Sequence, residues 1–355
     1  MLRREFLSSG FAAIALQAAG ARTEESLKQA AAPSGLLVGS AVSYREIDEA
    51  AFAELIARQC SIVVSENDMK WKALRPAPDK FDFTRADALV AFAEKNRIKI
   101  RGHNLCWHEA LPDWFHKIAK PDNARELLTN HIETVVRHFK GKIHSWDVVN
   151  EAVDVQDMRA DGLRRSPWLN LIGPEYLVIA FKTAAKADPG ATLTYNEYGL
   201  AQDGPRNEAK RHAVVALLRW LRRNEAPIQA LGIQSHLNGN RPFTGLQHFL
   251  GEVRELGLRV FVTELDVNDK SFPPDVAERD RMVAGVYRDY LHTILEERYV
   301  DAVLTWGLSD RDSWLRHREK RAAGIARPLP FDDQLQPKPA FFAMQAELKK
   351  VSRRD

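Results

Sequence analysis

Ile143-His144-Ser145-Trp146-Asp147-Val148-Val149-Asn150-Glu151 is followed, after a loop, by the helix-periodic stretch Pro174–Ala187 and then by Thr192-Leu193-Thr194-Tyr195-Asn196. A short β-rich apolar run, a helical segment and a second short run make a strand-helix-strand unit. The strands of such a unit lie parallel, because a crossover of this length returns the chain to the same end of the sheet.

The unit repeats in both directions. Further short runs occur at Leu36–Ala41, Ser61–Ser65, Ile98–His103, Ala230–Ser235, Arg259–Thr263 and Ala302–Trp306. Helical periodicity fills Arg85–Lys95, Asp122–Phe139, Arg206–Arg223, Phe243–Leu256 and Pro274–Glu296 between them. Thr84 and Asp122 are suited to cap helices, and Pro174 and Pro205 to start them. Eight alternations in 355 residues predict an α/β fold closed as a single (β/α)8 TIM barrel. The competing doubly wound sheet normally carries a Gly-rich phosphate turn after its first strand. Here Val42-Ser43-Tyr44-Arg45 stands in that place. No Pro-rich or Ser/Gly-rich linker divides the chain, so residues 22–355 read as one barrel domain.

Residues 1–21 read differently. Arg3-Arg4-Glu5-Phe6-Leu7 precedes an Ala-rich apolar stretch that ends in Ala19-Gly20-Ala21, the pattern of an export signal with a small-residue cleavage site. The Arg pair followed by Phe-Leu resembles the twin-arginine type, and an ordinary Sec signal is the alternative. No later apolar run reaches the ~18 residues needed to span a bilayer. The mature protein is therefore expected outside the cytoplasm, periplasmic or secreted, off the membrane and monomeric.

Charge excludes one class of partner. The 51 Lys and Arg nearly balance 48 Asp and Glu, and they are scattered rather than gathered, so the footprint of a nucleic-acid binder is absent. Cys60 and Cys106 are too few for a disulfide framework and sit beside apolar residues, as buried thiols do.

In a TIM barrel the chemistry sits at the C-terminal ends of the strands. Polar residues crowd those positions: Glu66, Asn67 and Lys70; His103, Trp107 and His108; Asn150 and Glu151; Gln234 and His236; Glu264 and Asp266; Trp306. Glu151 and Glu264 follow the fourth and seventh runs and point toward one cleft. Cleaving a glycosidic bond needs such a pair, one carboxyl to protonate the leaving oxygen and one to attack or stabilise the sugar carbon. His236 and Asp266 are placed to chain onto Glu264 and keep it charged, and Asn150 to meet a sugar hydroxyl beside the reacting carbon. Trp107, Trp306 and Trp314 offer faces for sugar C–H surfaces, while Glu66, Asn67, Lys70, His103 and Gln234 can meet hydroxyls. Trp71 and Trp146 read as core. Lys70 can instead pair with Glu66 or Asp68. The spacing of His103 and His108 matches no metal-ligand pattern, so neither metal nor cofactor is expected.

Together these segments resemble glycoside hydrolase family 10, the barrel-fold endo-β-1,4-xylanases. The matching stretches are Glu66-Asn67-x-Met69-Lys70-Trp71, Gly102-His103-x-Leu105-x-Trp107-His108, Trp146-Asp147-Val148-Val149-Asn150-Glu151-Ala152, Leu163-Arg164-x-Ser166-Pro167-Trp168, Tyr195-Asn196, Gly232-x-Gln234-Ser235-His236, Thr263-Glu264-Leu265-Asp266-Val267 and Trp306-Gly307. The resemblance implies hydrolysis of internal bonds in xylan and xylo-oligosaccharides with retention, through a covalent glycosyl-enzyme. It implies Glu151 as acid/base and Glu264 as nucleophile. Glu66, Asn67, Lys70, His103, Trp107, Asn150, Gln234, His236, Trp306 and Trp314 are then expected on the non-reducing side of the cut, with Tyr198 stacking on the leaving-group side.

Three features depart from the family pattern. Glu197 and Gly199 stand where Asp and Asn are commoner, Cys106 replaces an aliphatic residue, and the segment Arg311–Arg327 is unusually basic. That segment favours either acid-decorated xylan or nothing beyond a solvated loop. The competing functions are a related hydrolase of β-glucans or mannans, and a sugar-binding barrel without catalysis, which would lack one of the carboxyls. Replacing Arg3 and Arg4 together by Lys is expected to abolish export, measured by cell fractionation; unaffected export would exclude the twin-arginine route.

Overall fold

The computed structural model describes residues 24–239, 241–318 and 324–353. The expected export signal, Met1–Ala21, lies outside them. Eight parallel strands form the barrel: β1 (Leu37–Val42), β2 (Ile62–Ser65), β3 (Lys99–Cys106), β4 (Ser145–Asn150), β5 (Thr192–Glu197), β6 (Ala230–Ile233), β7 (Arg259–Asn268) and β8 (Val300–Thr305). Each pairs with its sequence neighbour, and β1 closes the ring on β8 with Leu37 opposite Ala302.

One helix packs outside after each strand: α1 (Ala50–Gln59), α2 (Thr84–Lys95), α3 (Ala124–His138), α4 (Glu175–Ala187), α5 (Pro205–Arg223), α6 (Leu246–Glu255), α7 (Val276–Leu295) and α8 (Pro339–Lys350). Pro205 opens α5 at its first turn, where a missing amide hydrogen costs nothing. The caps expected from Thr84 and Asp122 do not form. Thr84 is the first residue of α2, where its amide is taken by Asp82 Oδ1, and Asn123 holds the cap position of α3 without capping through its side chain.

Strand alternation sorts the apolar residues into two layers. Ile62, Val64, Ala230, Phe261, Ala302 and Leu304 fill the lumen, while the opposite faces meet the helices in a larger outer core. Trp71 and Trp146 are buried, and Cys60 and Cys106 are buried free thiols. No helix among the described residues is long and apolar enough to cross a membrane.

The seventh strand is longer than its sequence run. A short strand, His236–Asn238, pairs with its far half, placing His236 opposite Asp266. Glu264 therefore lies within a strand rather than just after one, held on both edges. Gly102 in β3 lets the Trp146 indole pack against the strand: a Cβ there would sit 2.0 Å from that ring. Gly102→Ala is expected to destabilise by about 1–3 kcal/mol through overpacking, read as a lower thermal midpoint with the fold retained.

Candidate active site

The barrel ladder continues one residue past several strand ends, and those residues carry the functional side chains. The amide of Glu66 donates to Val42 O, Glu151 to Asn196 O, Gln234 to Glu197 O and Trp306 to Leu265 O, all within 2.9–3.1 Å. Backbone bonds to the adjacent strand thus set the ring of side chains around the mouth. They line a cleft of about 1120 Å³ that brings together Glu66, Asn67, Lys70, His103, Trp107, Asn150, Glu151, Tyr198, Gln234, His236, Glu264, Trp306 and Trp314. Asp266 lies behind it, buried.

Glu264 is buried, and both of its oxygens receive donors. Asn196 Nδ2 donates to Oε1 at 2.7 Å, and His236 Nε2 to Oε2 at 3.1 Å. The other imidazole nitrogen of His236 lies 3.0 Å from Asp266 Oδ2, which also accepts from Trp314 Nε1 at 2.6 Å. Burial opposes a charge on His236, but Asp266 and Glu264 prevail and raise its pKa to about 10. An imidazolium held between two carboxylates is the result.

Glu151 is gripped differently. Its Oε2 accepts from Trp107 Nε1 at 3.0 Å, and its Oε1 from Gln234 Nε2 at 2.9 Å and Asn150 Nδ2 at 3.2 Å. Burial raises its pKa, yet the hydrogen bonds from Gln234 and Trp107 outweigh it and leave the carboxyl below its ordinary value. Its backbone has φ 57°, a left-handed conformation uncommon for a residue with a side chain.

On the far side, Lys70 donates to Asn67 Oδ1 at 2.8 Å and lies 5.0 Å and 5.9 Å from the Trp107 and Trp306 rings. It forms no close ion pair with Glu66 or Asp68. Burial lowers its pKa, while Glu264, Glu66 and Glu151 oppose that shift. Burial likewise raises Glu66, with Lys70 opposing. His103 Nδ1 donates to Asp147 Oδ2 at 2.9 Å, and Asp147 is itself bound by the lumen guanidinium of Arg101. That bond fixes the ring, whose other nitrogen lies 3.4 Å from Asn104 Nδ2.

Several contributors carried no role in the sequence reading. Asn196 bridges the two carboxyl neighbourhoods, Asp147 orients His103, and His108, with its pKa lowered to about 4 chiefly by burial, lines the cleft near Glu151. Position was the signal for Asn196 and His108, which lie at or just past a strand's C-terminal end, whereas Asp147 lies within β4. Glu197 points away from the cleft into a buried pair with Lys210, 2.7 Å away, whose ammonium lies 3.1 Å from the centre of the Tyr198 ring. Among the described residues no three His, Cys, Asp or Glu side chains converge as a metal-ligand set.

A TIM barrel whose mouth holds two glutamates, each hydrogen-bonded on both oxygens among indoles and amides, is of the barrel glycoside hydrolase class. Known proteins narrow this further. The family model of glycosyl hydrolase family 10 matches residues 26–347, and the chain belongs to that family. It is 35% identical over 322 residues to an endo-1,4-beta-xylanase A of Thermoanaerobacterium saccharolyticum, covering 86% of this chain. It is also 35% identical over 316 residues to a beta-1,4-xylanase of Dictyoglomus thermophilum, covering 86% of each chain. The crystal structure of xylanase 10B from Thermotoga petrophila in complex with xylobiose superposes with TM-score 0.85 at 31% identity, over 93% of this chain and 99% of that one. The chain spans 26–45% of the length of the first curated relatives it matches.

The His236 charge has a consequence for stability. Its folded pKa is raised from 6.5 to about 10, so the stabilisation is complete below pH 6.5 and is lost as pH rises through 10. Relative to His236→Asn, the wild-type advantage in thermal midpoint is expected to shrink across that window. A gap that does not change with pH would contradict the charged imidazole.

Proposed function

We propose that the protein is a retaining endo-1,4-β-xylanase, with Glu264 as nucleophile and Glu151 as acid/base. The observation that carries this reading is the unequal treatment of the two carboxyls. Glu264 is clamped from both sides, one clamp being a charged imidazole, as suits a group that must stay ionised and aimed. Glu151 is held only by neutral donors, two amides and an indole. Relatives named as xylanases, and a structural neighbour that holds xylobiose, support xylan as the substrate.

In the first step Glu264 attacks the anomeric carbon while Glu151 gives its proton to the departing glycosidic oxygen. Sugar filling the cleft excludes water and raises the pKa of Glu151 toward the protonated form. Forming the glycosyl ester removes the charge of Glu264, which lowers the pKa of Glu151 again. The same group then takes a proton from the incoming water, and the second displacement restores the original anomeric configuration. Lys70, between the Trp107 and Trp306 rings, bounds the sugar on the other side of the cut and leaves little room for the hydroxymethyl group of a hexose.

Glu151→Gln is expected to lower turnover of xylan by roughly 10²–10⁴-fold and Glu264→Gln by at least as much. Proton NMR of freshly formed product should show the β-anomer first, and carboxymethylcellulose should be left uncut. Initial release of the α-anomer, or full activity in either variant, would overturn the mechanism. The export expected from Met1–Ala21 would have the enzyme meet its polymeric substrate outside the cytoplasm.

A further inference from the structure

Arg164 lies in one of the stretches that carry the family resemblance, yet it has no part in the chemistry above. Its side chain is 14% exposed and makes three directed contacts. Nε donates to the backbone oxygen of Glu151 at 2.8 Å, Nη2 donates to the Tyr198 hydroxyl at 2.8 Å, and Nη1 lies 3.1 Å from Asp154 Oδ2. Its own amide donates to Ala152 O at 2.7 Å, and an antiparallel bridge joins Val153 to Leu163. A single planar guanidinium therefore ties the main chain at Glu151 to the ring on the leaving-group side of the cleft.

Both ends of that tie need holding. Glu151 sits at φ 57°, so the direction of its side chain depends on the bonds that keep this turn in place. Only two of those bonds are made by its own main chain: its amide to Asn196 O, and its carbonyl to Arg164. Tyr198 has the Lys210 ammonium against its ring, which leaves its hydroxyl as the handle that fixes where the ring lies. Proton transfer demands that the carboxyl and the leaving oxygen be within hydrogen-bond reach, and misplacement by about 1 Å can cost roughly 10²-fold.

We propose that Arg164 is a positioning residue for leaving-group protonation, setting the distance between Glu151 and the platform at Tyr198. The proposal rests on the reading of Glu151 as the acid. Lysine at this position keeps the charge but cannot bond to both partners in one plane.

The test compares kcat/KM, which reports the first displacement, for phenyl β-xylobioside and 2,4-dinitrophenyl β-xylobioside. The phenolate of the first needs a proton to leave, and that of the second does not. Arg164→Lys is expected to lower kcat/KM about 10- to 100-fold on the phenyl substrate and less than about 3-fold on the dinitrophenyl one. Tyr198→Phe, which removes only one end of the tie, should show the same pattern more weakly. Circular dichroism and the thermal midpoint establish that each variant is folded. Equal losses on both substrates, or no loss on either, would overturn the proposal. Glu151→Ala run in parallel separates the two readings. If it shows strong leaving-group dependence and Arg164→Lys does not, positioning by Arg164 fails while the acid assignment stands. If it shows none, the acid assignment itself fails and the proposal with it.

Discussion

The Asn196 amide is the joint on which the site depends. Its nitrogen donates both to Asn150 Oδ1 at 2.9 Å and to Glu264 Oε1 at 2.7 Å, while its oxygen accepts from Thr263 Oγ1 at 2.7 Å. One side chain on β5 thus spans from the strand that presents Glu151 to the strand that presents Glu264. Because Asn150 also donates to Glu151 Oε1, the two carboxyls belong to one hydrogen-bonded frame instead of two independent loops. Room for this joint comes from Gly232 on the neighbouring strand, where a Cβ would stand 2.3 Å from Asn196 Oδ1. The glycine of Gly232-x-Gln234 is therefore part of the site without touching it.

That frame must also carry concentrated charge. Glu66, Glu151, Glu264 and Asp266 meet around the mouth, and buried carboxylates this dense would protonate unless cations or donors faced them. Two cations answer them in different ways. The His236 imidazole contacts Glu264 and Asp266 directly, so charge there is matched pair by pair. Lys70 is shared, its ammonium balanced among Glu264, Glu66 and Glu151 while its hydrogen bond goes to the neutral Asn67. A shared cation leaves Glu151 free to give up and regain its proton, which a tight ion pair with it would resist.

Much of this was legible in the chain, for reasons that can be named. Short apolar runs set between stretches of helical periodicity reveal the barrel because each strand must fill a lumen on one face and meet a helix on the other. The strand-end rule then gathers the site, since the ring of residues at the mouth follows directly from the strand boundaries. What stayed hidden is what depends on side-chain direction across strands. Nothing local distinguishes Asn196 bridging two strands from an asparagine in a turn. The pairing of His236–Asn238 with the far half of β7 is a non-local contact, so the run Arg259–Thr263 ends too early when read alone. Asp147 has the look of an ordinary strand polar residue until Arg101, on the adjacent strand β3, is seen to hold it for His103.

The departures from the family pattern illustrate the same point. Glu197 suggested a weakened leaving-group side, yet its carboxylate is turned inward. It accepts from the Tyr195 hydroxyl, from the amides of Val153 and Tyr198, and lies beside Lys210. A buried carboxylate this fully bonded orients its surroundings, and what it orients is Tyr198, whose amide it accepts from and whose ring meets the Lys210 ammonium. The basic segment after β8 resolves similarly where it is described. Arg316 donates to both oxygens of Asp333, and Arg327 makes two parallel bonds to Asp280, which also lies 3.5 Å from the buried ammonium of Lys338. Lys320 and Arg321 lie outside the described residues. Those two arginines thus brace the loop that carries Trp314 and have their charge met from within. Arg327 commits Nε and Nη2 to Asp280, so a preference for acid-decorated xylan has to rest on cations whose donors are less fully engaged.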